Sequence, residues 1–427
     1  MSEVRTMGRS YLIPVASSLH DLKSITEVIS HYISSKLPVD EIIDVVSSDS
    51  VNEIPITTED LAIVAPITGG TEELIMRIAD RAGYTLILPH REMNSLPASL
   101  EAYSLLRLAE KPTTLIAEWP PSQRVLRFIS SWRAVNKTGS YVIGVIGDPS
   151  PWLVYSAGED LEECLKRIMP MLKIVRVNLD ELIELVSDVS DDEVTELASK
   201  VSARATEVRV PHREIQKSLK IYVALKRLIA RHGLNALTIR CFDLIKSVGT
   251  TACLSLSLLN DEGFAAGCEG DLSTLITMAI LKELSGGPVF MGNISWVEGD
   301  EILISHCTIA LKITNKYELD THFESGIGVG VAGHVPNNTL VTIARLDPLT
   351  YTLRIAKGKI INGTPSSPRH CRTQLKIRVS EGIISRILED PTGNHCALVL
   401  GDLETELRYV AEILGVITEN PFFRARV

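Results

Sequence analysis

Apolar positions in the first third of the chain follow two alternating rhythms. Ser10–Ala16 and Leu61–Pro66 are short continuous apolar runs, whereas Leu22, Ile25, Ile29 and Ile33 recur at helical spacing within Asp21–Ile33. Asp40–Ser48 and Tyr84–Leu88 read as further strands. Glu72–Ala82 and Asn94–Leu108 read as helices, the first opened by Thr68-Gly69-Gly70-Thr71 and the second by Asn94 as a capping residue. Strands separated by helices of this length predict βαβ units around a parallel sheet.

Lys111-Pro112 and Pro120-Pro121 break the pattern, and a second α/β series follows. It contains helices at Gln123–Val135, Leu161–Leu172, Ser190–Ala203, Glu214–His232, Gly249–Leu259 and Leu272–Leu284, with strands at Tyr141–Ile146 and Ala236–Cys241. After Gly286-Gly287-Pro288 the period shortens. Val289–Ile294, Glu301–His306, Ile309–Ile313, Gly328–Ala332, Leu340–Leu346, Thr350–Lys357, Gln374–Val379 and Cys396–Leu400 are short, β-branched runs divided by Gly, Asn, Asp and Pro, and a helix at Leu403–Leu414 follows. The predicted class is α/β: two Rossmann-like parallel-sheet domains (1–118 and 119–285), then a β-rich, antiparallel, barrel-like C-terminal domain (286–427).

Composition narrows the function. With 45% hydrophobic and 22% charged residues, the 427-residue chain can bury real cores, which excludes a long disordered protein. A net charge of −10 with no basic stretch argues against nucleic acid as a partner. Apolar runs such as Leu61–Ile67 fall far short of the roughly 20 residues that cross a bilayer, and the N-terminus carries no export signal, so a cytoplasmic protein is expected. Seven cysteines without a CxxC pair read as reduced core thiols, and the three glutamines suggest a thermophile.

Walker A, HExxH and GxSxG motifs are missing, and no dinucleotide-binding GxGxxG follows the first strand. Polar residues in apolar surroundings take their place. Glu269 and Asp271, in Gly267-Cys268-Glu269-Gly270-Asp271, would project to one side of an extended segment and share a pocket. His306 ends a strand, and His395 precedes the apolar run Ala397–Leu400. One Glu and two His from separate elements make an oxygen-and-nitrogen site for a divalent transition metal. Taken singly, a His at a strand end is more often a hydrogen-bonded residue than a ligand. Glu269 is the least ordinary, because a buried carboxylate needs a partner.

Cys268–Cys307, together with Asn94-Ser95-Leu96-Pro97, Gly147-Asp148-Pro149-Ser150-Pro151-Trp152 and Gly393-Asn394-His395, resembles the L-fucose/L-arabinose isomerase superfamily, in a compact, archaeal-type form. The resemblance implies aldose–ketose isomerisation through an enediol, with a divalent metal, manganese in most members, holding two sugar oxygens. It makes Glu269 the first acid and a metal ligand, His395 the late histidine ligand, and His306 the extra histidine of the arabinose branch. The second family acid falls on Asn293, whose carbonyl can ligate a metal but whose amide cannot act as a base. Asp271 is the preferred replacement base, with Asp243 and Glu262 as other candidates.

Asp148 and Trp152 are candidate sugar contacts, Trp152 by stacking on a pyranose face, against the competing reading of a core tryptophan. His322 and Glu324, in a loop of the β-domain, could face the site. His90, Arg91 and Asn94 follow a strand of the first domain, where α/β sheets place ligands; the resemblance implies a homotrimer or homohexamer in which they approach a neighbour's site. The substrate expected is a small sugar. Two rival readings use the same fold: a sugar-binding or regulatory protein that has lost turnover, and another sugar-converting enzyme such as an epimerase or lyase.

Overall fold

Strand β1 (Ser10–Val15) and strand β3 (Leu61–Pro66) are buried at every position, which suits the centre of a parallel sheet covered on both faces. The computed structural model describes residues 7–18, 22–158, 160–380 and 382–418; the expected helix start at Asp21 and the first six residues lie outside them. Its contacts divide the chain into Met1–Asn136 and Lys137–Val427.

In the first unit, α1 (Leu22–Ser34), β2 (Glu41–Ile42), α2 (Glu72–Ala79), β4 (Tyr84–Ile87), α3 (Ser95–Leu108) and β5 (Thr113–Leu115) complete a five-stranded parallel sheet of order β2-β1-β3-β4-β5. Ile13, Val15, Val64, Ile75, Ile78 and Leu106 form its core. The strand expected over Asp40–Ser48 shrinks to β2 and one bridge at Val46; Ile43 packs against the core, whereas Asp44 and Val45 are exposed at the sheet edge. Helix α4 (Gln123–Gly139) leads into the second unit.

There β6 (Val142–Ile146), α5 (Leu161–Ile168), β7 (Lys173–Val177), α6 (Leu179–Ser187), α7 (Asp191–Arg204), β8 (Glu207–Val208), α8 (His212–His232), β9 (Ala236–Ile239), α9 (Cys241–Ser247), α10 (Cys253–Asp261) and β10 (Ala265–Cys268) follow. Strands β10, β9, β6 and β7 make a second parallel sheet in that order. Helix α11 (Leu272–Ser285) is buried at every position from Leu272 to Leu281, because it packs against sheet strands on one side and barrel strands on the other.

The barrel strands are β11 (Phe290–Glu298), β12 (Glu301–His306), β15 (Leu340–Asp347), β16 (Thr352–Asn362), β17 (Thr373–Val379) and β18 (His395–Leu400). They close in the order β11-β12-β17-β16-β15-β18, all antiparallel. Outside the barrel, β13 (Lys316–Asp320) pairs with β14 (Gly330–His334) and with β8. Helices α12 (Ile383–Glu389) and α13 (Glu404–Leu414) complete the described chain. The expected architecture is therefore the observed one: parallel-sheet α/β layers followed by an antiparallel barrel. The strand expected at Ile309–Ile313 is instead a loop ending in a 3-10 turn at Leu311–Ile313. Among the described residues no helix is long and apolar enough to cross a membrane.

Candidate metal centre and active site

Three elements of the second unit end at one point. Strand β10 delivers Glu269, β12 ends on His306 and β18 begins on His395; β11 lies between the last two, with Asn293 registered against both His395 and Ser305. The ligand atoms of Glu269, His306 and His395 all lie within 4.8 Å of one another. Glu269 Oε1 is 3.6 Å from His395 Nε2 and 4.0 Å from His306 Nε2. Two ligands about 2.1 Å from one ion sit about 3.0–3.6 Å apart at ordinary coordination angles, so the trio needs little movement to close on a metal.

Backbone strain aims the carboxylate. Glu269 (φ 65°) and Gly270 (φ 84°) are both left-handed, so the chain turns sharply where an extended segment was expected. A side chain at position 270 would meet Pro149 Cα at 2.6 Å, and Ser150 N–H donates to the Glu269 carbonyl at 2.8 Å. The Gly147–Ser150 turn is thereby fastened behind the site. Trp152 Nε1–H donates to Glu269 Oε2 at 2.5 Å, and the Trp152 ring meets Phe242 edge-on at 4.9 Å. The Trp152 side chain is not a core residue, being 48% exposed.

The turn sends Asp271 away from Glu269. Asp271 caps α11, accepting from Thr274 N–H (2.9 Å) and Thr274 Oγ1–H (3.0 Å), and it pairs with Arg345 Nη1 (3.1 Å). Its Oδ2 also accepts from His395 Nδ1–H at 3.1 Å. Arg345 is held in turn by Ser156 Oγ and by the carbonyls of Thr392 and His395. A side chain on Gly393 (φ 113°) would strike Arg345 Nη2 at 2.7 Å, so glycine is required there. Asp271 therefore does not line the cavity beside Glu269; it fixes the ring of His395, the outer-shell arrangement typical of metal-ligating histidines.

Charge follows this geometry. Burial alone would raise the Asp271 carboxyl, but Arg345, His395 and the Thr274 N–H outweigh it and hold the group well below the usual range. Burial likewise opposes ionisation of Glu269, yet His395, His306 and Trp152 bring its pKa down to about 2. Burial disfavours the His395 cation, but Asp271 and Glu269 raise its pKa to about 9. His306 goes the other way: burial, then the positive His395, lowers it to about 3. Its Nδ1 hydrogen-bonds Thr308 Oγ1 at 2.9 Å, which leaves Nε2 facing Glu269.

A cavity of about 20 Å³ lies against Glu269, His306, Asn293, Phe242, His322 and Glu324, room for one water-sized occupant. His395 Nε2 is fully buried and has no hydrogen-bond partner among the described residues. An orphaned imidazole nitrogen beside a carboxylate and a second, neutral imidazole fits a divalent cation, and this donor set would hold one. Asn293 Oδ1, the other expected ligand atom, accepts from Asn394 Nδ2 at 3.0 Å.

Of the remaining candidates, His322 is buried at the cavity, its Nδ1 against Ser325 Oγ (3.0 Å) and its ring edge-on to Phe242. Asp148 is exposed in the turn after β6 and does not line the cavity. Asp243 pairs with Arg240 at 3.0 Å, and Glu262 bonds Tyr222 and pairs with Lys226; neither lines the cavity. In the first unit His90 is buried with Nε2 2.7 Å from the Ile67 carbonyl, while Arg91 and Asn94 (φ 60°) are exposed before α3. Arg345 and Thr308 were missed in the sequence. An arginine inside the apolar strand Leu340–Leu346 was the available signal, since a buried guanidinium demands a carboxylate.

Residues 168–287 match the family model of the L-arabinose isomerase central domain. The chain is also 24% identical over 342 residues to a sulfoquinovose isomerase of Priestia aryabhattai, covering 77% of this chain and 76% of that protein. A sulfoquinovose isomerase of Alkalicoccus urumqiensis is 25% identical over 350 residues, covering 76% of each. One of Clostridium sp. (strain MSTE9) is 22% identical over 348 residues, covering 77% and 76%. Both kinds of match support the arabinose/fucose isomerase superfamily and an enzyme of the sugar-isomerase kind.

Proposed function

We propose that the protein is a divalent-metal-dependent aldose–ketose isomerase acting on a small sugar through an enediol. The observation that carries this reading is the convergence of Glu269, His306 and His395 around an unpartnered, buried imidazole nitrogen. These three residues hold the metal, manganese by the superfamily resemblance, with Asn293 Oδ1 beside them. When bound, the ion supplies Lewis acidity that polarises the sugar's oxygens.

The chain's own residues do the rest. Trp152 holds Glu269 in place through one carboxylate oxygen, so the other points into the cavity. Glu269 serves both as ligand and as a carboxylate able to relay a proton between sugar oxygens. Asp271 keeps the proton on His395 Nδ1 and so reserves Nε2 for the ion. In this reading Asp271 positions rather than abstracts, because its two oxygens are already committed to four donors. Trp152 and His322 line the approach for the sugar, and His90, Arg91 and Asn94 act, if the assembly is the superfamily's trimer or hexamer, on a neighbouring chain's site in the cytoplasm.

One observation favours a second reading. The family acid's place is taken by the amide of Asn293, as expected for a sugar-binding protein that has lost turnover. The test is to load chelator-treated protein with Mn²⁺ and follow L-fucose, L-arabinose and sulfoquinovose by NMR in D2O. Metal-dependent conversion with deuterium entering at the carbon beside the carbonyl supports the isomerase. Binding of a sugar without conversion or exchange supports the second reading.

A further inference from the structure

We propose that Glu324 is the second proton-transfer carboxylate of this site, the group that takes the carbon-bound proton of the sugar in place of the acid lost at Asn293. The proposal rests on the isomerase reading above. Glu324 comes from the loop between β13 and β14 and lines the same small cavity as Glu269, Asn293 and His306. It lies within electrostatic reach of Glu269.

The carboxylates considered above divide by whether they are already engaged. Asp271 is bonded to Thr274, Arg345 and His395; Asp243 is paired with Arg240; Glu262 is held by Tyr222 and Lys226. Glu324 makes no hydrogen bond or ion pair with the described residues and keeps an exposed side chain, so substrate can reach it. Its loop is nonetheless shaped: His322 N–H donates to the Ile327 carbonyl (3.0 Å), Gly326 N–H donates to the His322 carbonyl (2.9 Å), and the His322 ring rests against Phe242. An unpaired carboxylate on a fixed loop, across a cavity from the metal ligands, has what a general base needs: reach, orientation and a free lone pair.

The step balances within the substrate. The Glu324 carboxylate takes the C2 proton of the open-chain aldose, the C–H electron pair becomes the C1=C2 bond, and the carbonyl pair moves to O1, which takes a proton from the medium. The enediol then returns its O2 proton to the medium, re-forms a carbonyl at C2 and recovers the Glu324 proton at C1, giving the ketose with nothing consumed.

The test compares wild type, Glu324→Gln and Glu324→Asp as full chains, measuring Mn²⁺ affinity by EPR and deuterium incorporation into L-fucose, L-arabinose and sulfoquinovose by NMR. Loss of a general base predicts at least a roughly 100-fold fall in exchange for Glu324→Gln, partial recovery for Glu324→Asp, and Mn²⁺ affinity within about threefold of wild type for both. Two results overturn the role of Glu324 alone: Glu324→Gln exchanging at close to the wild-type rate, or exchange and Mn²⁺ affinity falling together. A wild-type protein that binds Mn²⁺ but exchanges no proton in any of the three sugars overturns the isomerase reading along with it.

Discussion

Replacing Asp271 by Asn separates two roles that the same residue can be given. A catalytic base would lose proton transfer and keep its metal. The structure predicts the reverse order of damage. The Asn side chain keeps one acceptor oxygen, which suffices for the helix cap on Thr274 N–H, but its NH2 group then confronts donors: Arg345 Nη1, Thr274 Oγ1 and His395 Nδ1. Arg345, whose side chain is 4% exposed, loses its counter-ion. Removing one partner of a buried ion pair costs about 3–5 kcal/mol, and the retained cap limits the further loss to a few tenths. The metal-free variant should therefore unfold about 3–5 kcal/mol more easily in urea. His395 also loses the acceptor that sets its tautomer and ring angle, so Mn²⁺ affinity should fall about 10–100-fold. Urea titration of chelator-treated protein and Mn²⁺ EPR measure the two terms separately. A variant within about 1 kcal/mol of wild type, with Mn²⁺ affinity within about threefold, would refute the reasoning and return Asp271 to the list of bases.

Glu269→Gln should weaken Mn²⁺ binding far more than Glu324→Gln does, because the amide replaces the only anionic donor of the trio; competition against a chelator reads this directly. Trp152→Phe keeps the edge-on contact with Phe242 but removes the hydrogen bond to Glu269, and since bonds to charged groups contribute about 1.5–3 kcal/mol, kcat should fall more than KM rises in steady-state kinetics. Asn293→Asp places a second carboxylate between the strands that carry His306 and His395; it should tighten Mn²⁺ binding and, if Glu324 supplies the missing base, raise turnover only slightly, as NMR exchange rates would show.

The three-part architecture was legible because Lys111-Pro112 and Pro120-Pro121 interrupt one α/β series before the next, and because the apolar period shortens to β-branched runs after Gly286-Gly287-Pro288. Strand β7 and helix α6 escaped notice because Lys173–Val177 is an edge strand whose burial does not alternate. The meeting of Glu269, His306 and His395 could be read from element ends. Glu269 sits just ahead of a helix buried all round, and both histidines bound strands with apolar interiors. The direction of Asp271 could not. It depends on a glutamate in a left-handed conformation, which costs a non-glycine residue energy and leaves no mark in the sequence; Gly270 announces a turn but not its direction.

That turn also explains why the second base should lie outside the core. At the junction of sheet and barrel a buried carboxylate persists only if donors surround it, and the donors that make burial tolerable also occupy its lone pairs and hold its proton affinity down. Asp271 shows the outcome: fully buried and bonded to four donors, it can orient a ligand but has no oxygen left for a sugar's proton. A carboxylate that must be empty at the start of each cycle and protonated halfway through it needs access to solvent and freedom from fixed cations. Of the acids named here, Glu324 meets both conditions at this cavity. On the proposed reading, core packing thus selects residues that would hold a metal, and the β13–β14 loop is left to supply the residue that would react.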